Sequence, residues 1–98
     1  MNNLESLFVD KCFLGCGGLD AKLGMTSEIP NEAYINSQMI AHTEGKVYIL
    51  ADHSKLGKRS GFVSCPVKMV QNVITDMQAH SYILKEFRER GISVYQAH

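Results

Sequence analysis

The sequence predicts an α/β fold in which helices flank a mostly parallel sheet. Short apolar segments typical of buried strands alternate along the chain with two segments of helical periodicity. Glycine or proline residues separate most of these segments. The most apolar segment, residues 46–51, has the composition of a strand covered on both faces, as the strands of parallel sheets are. Strands that alternate with helices in this way are typical of a parallel sheet.

The first elements are predicted to be a strand and a polar loop. Residues 4–10 are interpreted as the end of a helix or as a segment leading into the first strand. Residues 11–16 have the apolar character of a short buried strand, which Gly17 and Gly18 close. Residues 19–27 contain polar side chains and a glycine, and are predicted to form a loop.

A helix is predicted over residues 29–44, because apolar residues recur there at helical spacing. Pro30 fits only the first turn of such a helix, and Ser27 or Asn31 is expected to cap its N-terminus. Gly45 is expected to end the helix as a C-cap residue in the left-handed conformation.

The second half of the chain is predicted to continue the alternation. Residues 46–51 are expected to lie at the centre of the sheet, and a loop follows that contains two glycines and four cationic or imidazole side chains. The helix farther along is expected to turn Ile83, Leu84 and Phe87 inward. In order, these elements are the loop at 52–61, a strand at 62–65 stopped by Pro66, a strand at 72–75, the helix at 81–90 closed by Gly91, and a strand at 92–95.

Length and composition restrict the class of protein. A chain of 98 residues has room for one domain with one modest core. The ten Lys and Arg residues are balanced by ten Asp and Glu residues, so the chain lacks the excess positive charge that is expected of a domain that binds DNA by itself. Neither an apolar run of about 20 residues nor a secretion leader is evident, so no membrane span is expected. Three cysteines, an odd number, favour reduced thiols and a cytoplasmic location.

Two of the predicted loops are candidates for a ligand-binding site. If the first strand–helix–strand unit is right-handed and parallel, both loops share the carboxyl edge of the sheet. Glycine N–H groups can bind an anion and Lys55 adds a cation, while an aspartate can accept sugar hydroxyls or clamp the lysine. This set suits a small phosphorylated polyol, although the glycines can also be a simple turn and the lysine merely solvated. The candidate residues are Gly15, Gly17, Gly18, Asp52, Ser54 and Lys55.

The other reactive side chains do not indicate catalysis. On a strand, Cys12 and Cys16 point to one face about 13 Å apart, too far to share a metal ion or a disulfide. They are expected to be buried, inert thiols. The histidines show no ligand spacing, and only His53 falls within the candidate site. Because no nucleophile elbow, Walker loop or dinucleotide fingerprint is present, we expect no metal, no cofactor and no enzyme activity.

Several segments, in their order and spacing, resemble the DeoR family of bacterial transcriptional regulators. Residues 10–20 are similar to the family stretch D-K-x-F-L-G-x-G-G-[IL], and residues 50–57 to L-A-D-x-S-K-[FL]-G. The similarity covers almost the whole chain from Asp10 to Ala97. The other segments are residues 24–26, 32–40, 73–76 and 91–94, which are similar to G-[LMF]-T, E-A-x-[VI]-[NK]-x-x-M-[IL], [LVI]-I-T-D and G-[IV]-x-V.

The resemblance implies part of a repressor of sugar metabolism. DeoR-type regulators join a winged helix-turn-helix to a sensor domain that binds phosphorylated sugars and shares the fold of ribose-5-phosphate isomerase and coenzyme A transferases. Residues 1–98 are then expected to be the C-terminal portion, the second half, of that sensor domain. The DNA-binding domain and the phosphate-binding loop of the first half are expected outside this chain. The implied partners are a phosphorylated sugar, DNA through the domain missing here, and further copies of the chain in a homo-oligomer.

Two other functions remain open. Ribose-5-phosphate isomerase has a similar A-D-x-S-K stretch, but its first strand leads into an acidic D-G-A-D segment that transfers the proton. Residues 14–17 read L-G-C-G instead, and Asp20 follows several residues later. Since moving a proton requires a positioned base, binding without turnover is favoured over an isomerase. The remaining alternative is an assembly module with a vestigial site.

Overall fold

Two sheets and two helices make up the protein in a computed structural model, which describes residues 9–97 and the side chains from Lys11 onward. Residues 4–8 of the predicted lead-in segment lie outside the described residues, and residues 9 and 10 belong to the first strand. The elements are β1 (Val9–Gly15), β2 (Gly18–Asp20), β3 (Gly24–Ser27), α1 (Pro30–Ala41), β4 (Thr43–Leu50), β5 (Phe62–Pro66), a 3-10 turn (Val67–Met69), β6 (Asn72–Asp76), α2 (Ser81–Glu89) and β7 (Ser93–Ala97).

Four strands form a wholly parallel sheet in the order β1-β4-β6-β7. In its register Cys12 lies beside Val47, Ile49 beside Val73, and Val73 beside Val94. The apolar strand predicted at residues 46–51 is β4, which has β1 on one side and β6 on the other. The predicted α/β class with a mostly parallel sheet is confirmed.

Residues 19–27 differ from the prediction, because they form most of a hairpin rather than a loop. β2 pairs antiparallel with β3, and β5 joins β3 to complete a three-stranded sheet. Asp20 makes the turn, since its Oδ2 accepts hydrogen bonds from Lys22 N–H at 2.9 Å and Leu23 N–H at 2.8 Å. Gly24 follows with a φ of +104°. Strands of three and four residues are too short to show a clear periodicity in the sequence, so the prediction of a loop was wrong.

The N-terminus of α1 agrees with the prediction in one respect and differs in another. Pro30 occupies its first turn, where a missing N–H costs no helical hydrogen bond. The N-cap is Ile29, and it makes no side-chain cap hydrogen bond. Ser27 is the last residue of β3 and Asn31 lies within the helix, so neither of these two residues is the N-cap that the sequence predicted.

The C-terminus of α1 lies earlier than predicted. Gly45 does not end the helix; it lies inside β4 and does not have a positive φ. The last helical carbonyl groups are satisfied by other residues. Thr43 Oγ1 donates to the Met39 carbonyl oxygen at 2.7 Å, and His42 N–H donates to that of Gln38 at 3.1 Å. A left-handed glycine is therefore not needed, and the chain enters β4 directly.

The strands and the helix after β4 follow the prediction within one or two residues at each end, whereas β4 begins at Thr43, three residues earlier than predicted. Leu84 and Phe87 of α2 are buried, and the partly buried Ile83 packs against the core cluster that contains them. Gly91 follows α2 with a φ of +82°, as a C-terminal glycine does. Neither α1 nor α2, the helices within residues 9–97, is long and apolar enough to cross a membrane.

The two faces of the parallel sheet have different surroundings. Strand residues of one face join Ile40 of α1 and Phe87 of α2 in a single buried cluster, so both helices cover that face. The alternate residues, among them Phe13 and Tyr95, are exposed on the opposite face. The buried strand residues of the first face are Cys12, Val47, Ile49 and Val73.

Candidate functional site

Backbone hydrogen bonds join the two loops that the sequence singled out. Leu19 N–H donates to the Lys55 carbonyl oxygen at 2.9 Å, and Gly57 N–H donates to that of Leu19 at 2.7 Å. Gly15 at the end of β1 and Leu50 at the end of β4 are register partners. Both loops therefore leave the carboxyl edge of the parallel sheet side by side, which is the edge where such sheets bind ligands.

The three glycines of the first loop have different roles in packing. A Cβ on Gly15 would meet no atom within 4 Å, whereas a Cβ on Gly18 would lie 2.4 Å from the Lys58 carbonyl oxygen. The Gly17 N–H donates to the Thr26 carbonyl oxygen at 3.0 Å. Gly18 thus allows the loop that carries Lys55 and Lys58 to pack directly on β2.

Asp52 organises the second loop. Its Oδ1 accepts hydrogen bonds from the Ser54 hydroxyl and from the Ser54 N–H, the latter at 2.8 Å. Its carbonyl oxygen accepts the Lys55 N–H at 3.0 Å. The Ser54 hydroxyl, the Ser54 N–H and the Lys55 charge lower the pKa of the Asp52 carboxyl below its usual value. Asp52 is exposed, so the loop presents an ionised carboxylate to solvent.

Asp76 also belongs to this edge, although it is not among the residues that the sequence predicts for the site. It is the last residue of β6, and its Oδ2 accepts hydrogen bonds from His53 N–H and His53 Nδ1, each at 2.9 Å. Its Oδ1 accepts the Gln78 N–H at 2.9 Å. The backbone and ring bonds from His53, with that from Gln78, lower the pKa of Asp76. The signal in the sequence was an aspartate directly after an apolar strand, the same pattern that drew attention to Asp52.

The side chain of Lys55 differs from those of Lys58 and Arg59, which form ion pairs. Lys58 Nζ lies 3.8 Å from a Glu28 carboxylate oxygen, and Arg59 Nε lies 3.3 Å from Asp20 Oδ1. Among the side chains that the structure describes, those of residues 11–97, none forms a salt bridge with Lys55. Its ammonium can therefore bind an anion without first breaking an ion pair.

A cavity of about 440 Å³ opens at the carboxyl edge, next to the second loop. Asp52 and Asp76 supply its carboxylates, and the ends of β4, β6 and β7 supply an apolar wall. Thr75 lines it as well, and the Thr75 Oγ1 is buried without a hydrogen-bond partner among the described residues. The apolar wall consists of Leu50, Ala51, Ile74 and Ala97.

The cysteines are free thiols outside this cavity. Cys12 and Cys65 are buried, and Cys16 lies half-buried just beyond β1. Burial raises the pKa of Cys16 to about 11 even though the Lys55 charge opposes the rise. Burial likewise raises the pKa of Cys65 to about 11. In the part of the chain that the structure describes, no group of three His, Cys, Asp or Glu side chains is placed to hold a metal ion.

Comparison with known families gives a clear assignment. The family model of the DeoR C terminal sensor domain matches residues 1–77 of the 98 residues. The chain belongs to the DeoR C-terminal sensor domain family. The matched region contains both loops and the whole of β6, and it ends one residue after that strand, at Met77. The resemblance found in the sequence motifs is thereby confirmed.

Relatives of this DeoR sensor chain are named as transcriptional regulators. It is 31% identical over 91 residues to the HTH-type transcriptional regulator GlpR of Haloferax volcanii, covering 93% of this chain and 35% of that protein. It is 28% identical to the uncharacterized HTH-type transcriptional regulator YulB of Bacillus subtilis, covering 94% and 35%. It is 26% identical to the HTH-type transcriptional regulator GolR of Listeria innocua, covering 95% and 36%.

The comparisons place the DeoR sensor chain among regulatory rather than catalytic domains. All three relatives are named regulators, and the matching model is that of a sensor. This agrees with the expectation that the chain is not an enzyme. The chain spans about a third of the length of the curated relatives that it matches.

Proposed function

We propose that the chain is the effector-sensing portion of a DeoR-type transcriptional repressor and binds a phosphorylated sugar at the carboxyl edge of its parallel sheet. The observation that carries the proposal is the Leu19–Lys55 backbone hydrogen bond, which holds the glycine loop and the Asp52–Lys55 loop together beside an open cavity. Of the two loops only Asp52 lines that cavity, so a ligand would have to extend beyond it to touch Lys55 and the glycine loop. Family membership supports the same function, because the family is one of sensor domains.

The chemistry of the edge suits a sugar phosphate. Lys55 supplies a cation for the phosphate, and the Ser54 hydroxyl and the Gly15–Gly18 backbone are within the same pair of loops. Asp52 and Asp76 are ionised acceptors for sugar hydroxyls. The apolar wall of the cavity can pack against the CH groups of a sugar ring. The proposed ligand-binding residues are Gly15, Gly17, Gly18, Asp52, Ser54 and Lys55, together with Asp76.

The action on DNA is proposed to go through a helix-turn-helix domain that this chain does not contain. Residues 1–98 would be the C-terminal portion of the sensor domain, and the location would be the cytoplasm, where operator DNA is found. A bound effector changes DNA affinity only if it binds one arrangement of the regulator more tightly than another. Self-association of the chain is part of the proposal, since two-fold regulators need a contact between copies.

The environment of Asp20 favours a sensor over a sugar-phosphate isomerase. Its carboxylate is the nearest acid to the place where an isomerase carries its base. Only 13% of its side chain is exposed, and it is bound by Lys22 N–H, Leu23 N–H and Arg59. A carboxylate occupied in this way holds a turn and is not free to take a proton from substrate. A sensor returns its ligand unchanged, so an aldose–ketose conversion assay separates the two functions.

The experiment is thermal unfolding of this chain with a panel of sugar phosphates, using the corresponding free sugars as controls. A ligand at 100 times its Kd adds about 2.7 kcal/mol of apparent stability. We expect a selective increase of Tm with one phosphosugar, and a much smaller increase in Lys55→Ala. Lys85→Ala, a change of an exposed lysine on α2, is the matched control and should respond like the unmodified chain. Equal shifts in both variants would contradict the role of Lys55.

A further inference from the structure

His53 connects the wall of the candidate cavity to the turn that carries Lys55. Its backbone N–H and its ring Nδ1 bond to Asp76 Oδ2, each at 2.9 Å, and Asp76 lines the cavity. Asp52, the preceding residue, lines the cavity too, and its carbonyl oxygen accepts the Lys55 N–H at 3.0 Å to close the turn. A ligand that extends from the cavity to Lys55 therefore runs along the turn that His53 and Ser54 form.

The bond to Asp76 determines which nitrogen of the His53 ring carries a proton. Hydrogen bonds from the backbone and the ring of His53, and from Gln78, lower the pKa of the Asp76 carboxyl. The carboxylate is therefore ionised at neutral pH and can only accept a hydrogen bond, so Nδ1 must be the donor. The second ring nitrogen, Nε2, then has a lone pair in the neutral ring and an N–H in the charged ring.

Nε2 is the part of the His53 ring that a ligand can use. Among residues 11–97, whose side chains the structure describes, none forms a hydrogen bond with Nε2. The His53 side chain is 46% exposed, so solvent and ligands reach the ring. Because Asp76 already holds the ring through Nδ1, binding at Nε2 costs little further loss of side-chain freedom.

The charges around His53 favour a ring that gains a proton when an anion binds. Among the described residues, Asp76 at the end of β6 and Asp52 on the turn are the carboxylates that interact with the ring. Lys55 interacts with Asp52 and with Cys16, whose thiol is neutral because burial raises its pKa to about 11. The edge thus has two carboxylates beside one lysine. A phosphate group adds up to two further negative charges, and a proton on His53 would offset one of them.

We propose that His53 is a further ligand-binding residue of this edge and that it takes up a proton when a phosphorylated ligand binds, so that Nε2–H donates to a phosphate oxygen. The proposal rests on the proposed function, because it assigns a role at the same site. The proton comes from solvent, and no covalent bond of the ligand changes. Affinity is expected to fall as the pH rises, because fewer imidazole rings are charged at higher pH.

The first test is isothermal titration calorimetry with ribose 5-phosphate, fructose 1-phosphate and glucose 6-phosphate, using the free sugars as controls. Between about pH 7 and pH 8.5 a phosphate monoester is almost wholly doubly charged, so a change of affinity in this range comes from the protein. For a phosphosugar that binds, we expect the affinity to fall several-fold from pH 7 to pH 8.5. Titrations in buffers of different ionisation enthalpy should show a net uptake of protons by the complex at pH 7.

His53→Asn separates the charge of the ring from its structural role. The asparagine amide keeps a donor close to the position of Nδ1 but lacks Nε2. At pH 7 the variant should bind the phosphosugar about tenfold more weakly, and it should lose both the pH dependence and the proton uptake. His80→Asn, a change of an exposed histidine before α2, is the matched control and should behave like the unmodified chain. Amide hydrogen exchange at residues 53–55 shows whether the turn stays in place.

Nitrogen NMR of the imidazole ring tests the geometry without a ligand. At high pH the neutral His53 ring should carry its proton on Nδ1, and a proton on Nε2 instead would overturn the proposal. A phosphosugar that binds equally well at pH 7 and pH 8.5, and equally well to His53→Asn, would overturn the role of His53 and leave the proposed function standing. Binding of none of the phosphosugars would overturn the proposed function, and this inference with it.

Discussion

Asp76 binds His53 twice through a single oxygen atom. Its Oδ2 accepts hydrogen bonds from the backbone N–H and from the ring Nδ1 of His53, both at 2.9 Å. The two residues are 23 positions apart, and the bonds join the loop after β4 to the end of β6. The loop that carries Ser54 and Lys55 is thus held from two sides, by Asp76 and by the backbone of Leu19.

Asp76→Asn is expected to loosen this loop without unfolding the sheet. The amide loses the negative charge and one acceptor oxygen, and so weakens at least one of the three hydrogen bonds to Asp76. The backbone amide of His53 should exchange with deuterium several-fold faster, as measured by NMR. The amide of Ile49 in the core of β4 is the internal control and should not change. Unchanged exchange at His53 would show that Leu19 alone fixes the loop.

The hydrogen bonds of Asp20 in the hairpin turn should make the thermal stability of the protein decrease at low pH. Burial opposes ionisation of Asp20, but hydrogen bonds from Leu23 and Lys22 and the contact with Arg59 together lower its pKa below 3.8. A depressed pKa contributes stability that is present above pH 3.8 and is lost as the pH falls through the folded-state value. Asp20→Asn should therefore lower Tm at pH 6 and lower it by less near pH 2. A gap in Tm that is the same at both pH values would mean that the charge of Asp20 plays no part.

How far the sequence predicts the fold depends on the length of each element. β4, β6 and α2 were predicted within a few residues, because each carries enough consecutive or periodic apolar residues to show its type. The β2–β3 hairpin was missed because its strands have three and four residues. Their burial comes from pairing with β5 and with residues near Leu56, which are distant in the chain. Tertiary contacts, not local preference, make those residues strands.

The candidate site, like the fold, could be predicted from the sequence only in part. The sequence indicated two loops at one sheet edge, and the Leu19–Lys55 hydrogen bond does bring those loops together. It did not indicate that Asp76 reaches His53, because that contact depends on β6 lying next to β4. Nor did it indicate that Gly18 is required by the Lys58 carbonyl group. Which strand is next to which is a property of the whole sheet, and no local motif contains it.

Phe87 is expected to be a principal contributor to the core between α2 and the sheet. It is 0% exposed and belongs to the same buried cluster as Val73 and Ile49. Phe87→Ala should lower the free energy of unfolding by about 3–5 kcal/mol, since it removes buried surface and leaves a cavity. Tyr82→Ala on the exposed side of α2 should change it little. Urea denaturation measures both, and equal effects would place Phe87 outside the core.

Gly18→Ala is expected to destabilise the pairing between β2 and the loop at Lys58. A Cβ at this position would lie 2.4 Å from the Lys58 carbonyl oxygen and 2.9 Å from its carbonyl carbon, and backbone atoms cannot move aside as a side chain can. The expected loss of stability is about 1–3 kcal/mol, as for other forced overpacking. Gly61→Ala is the control, because a Cβ there would meet nothing within 4 Å. Chemical denaturation of the two variants gives the comparison. A Gly18→Ala chain as stable as Gly61→Ala would mean that the loop yields at low cost, and the glycine would then have to be explained by contact with a ligand rather than by packing.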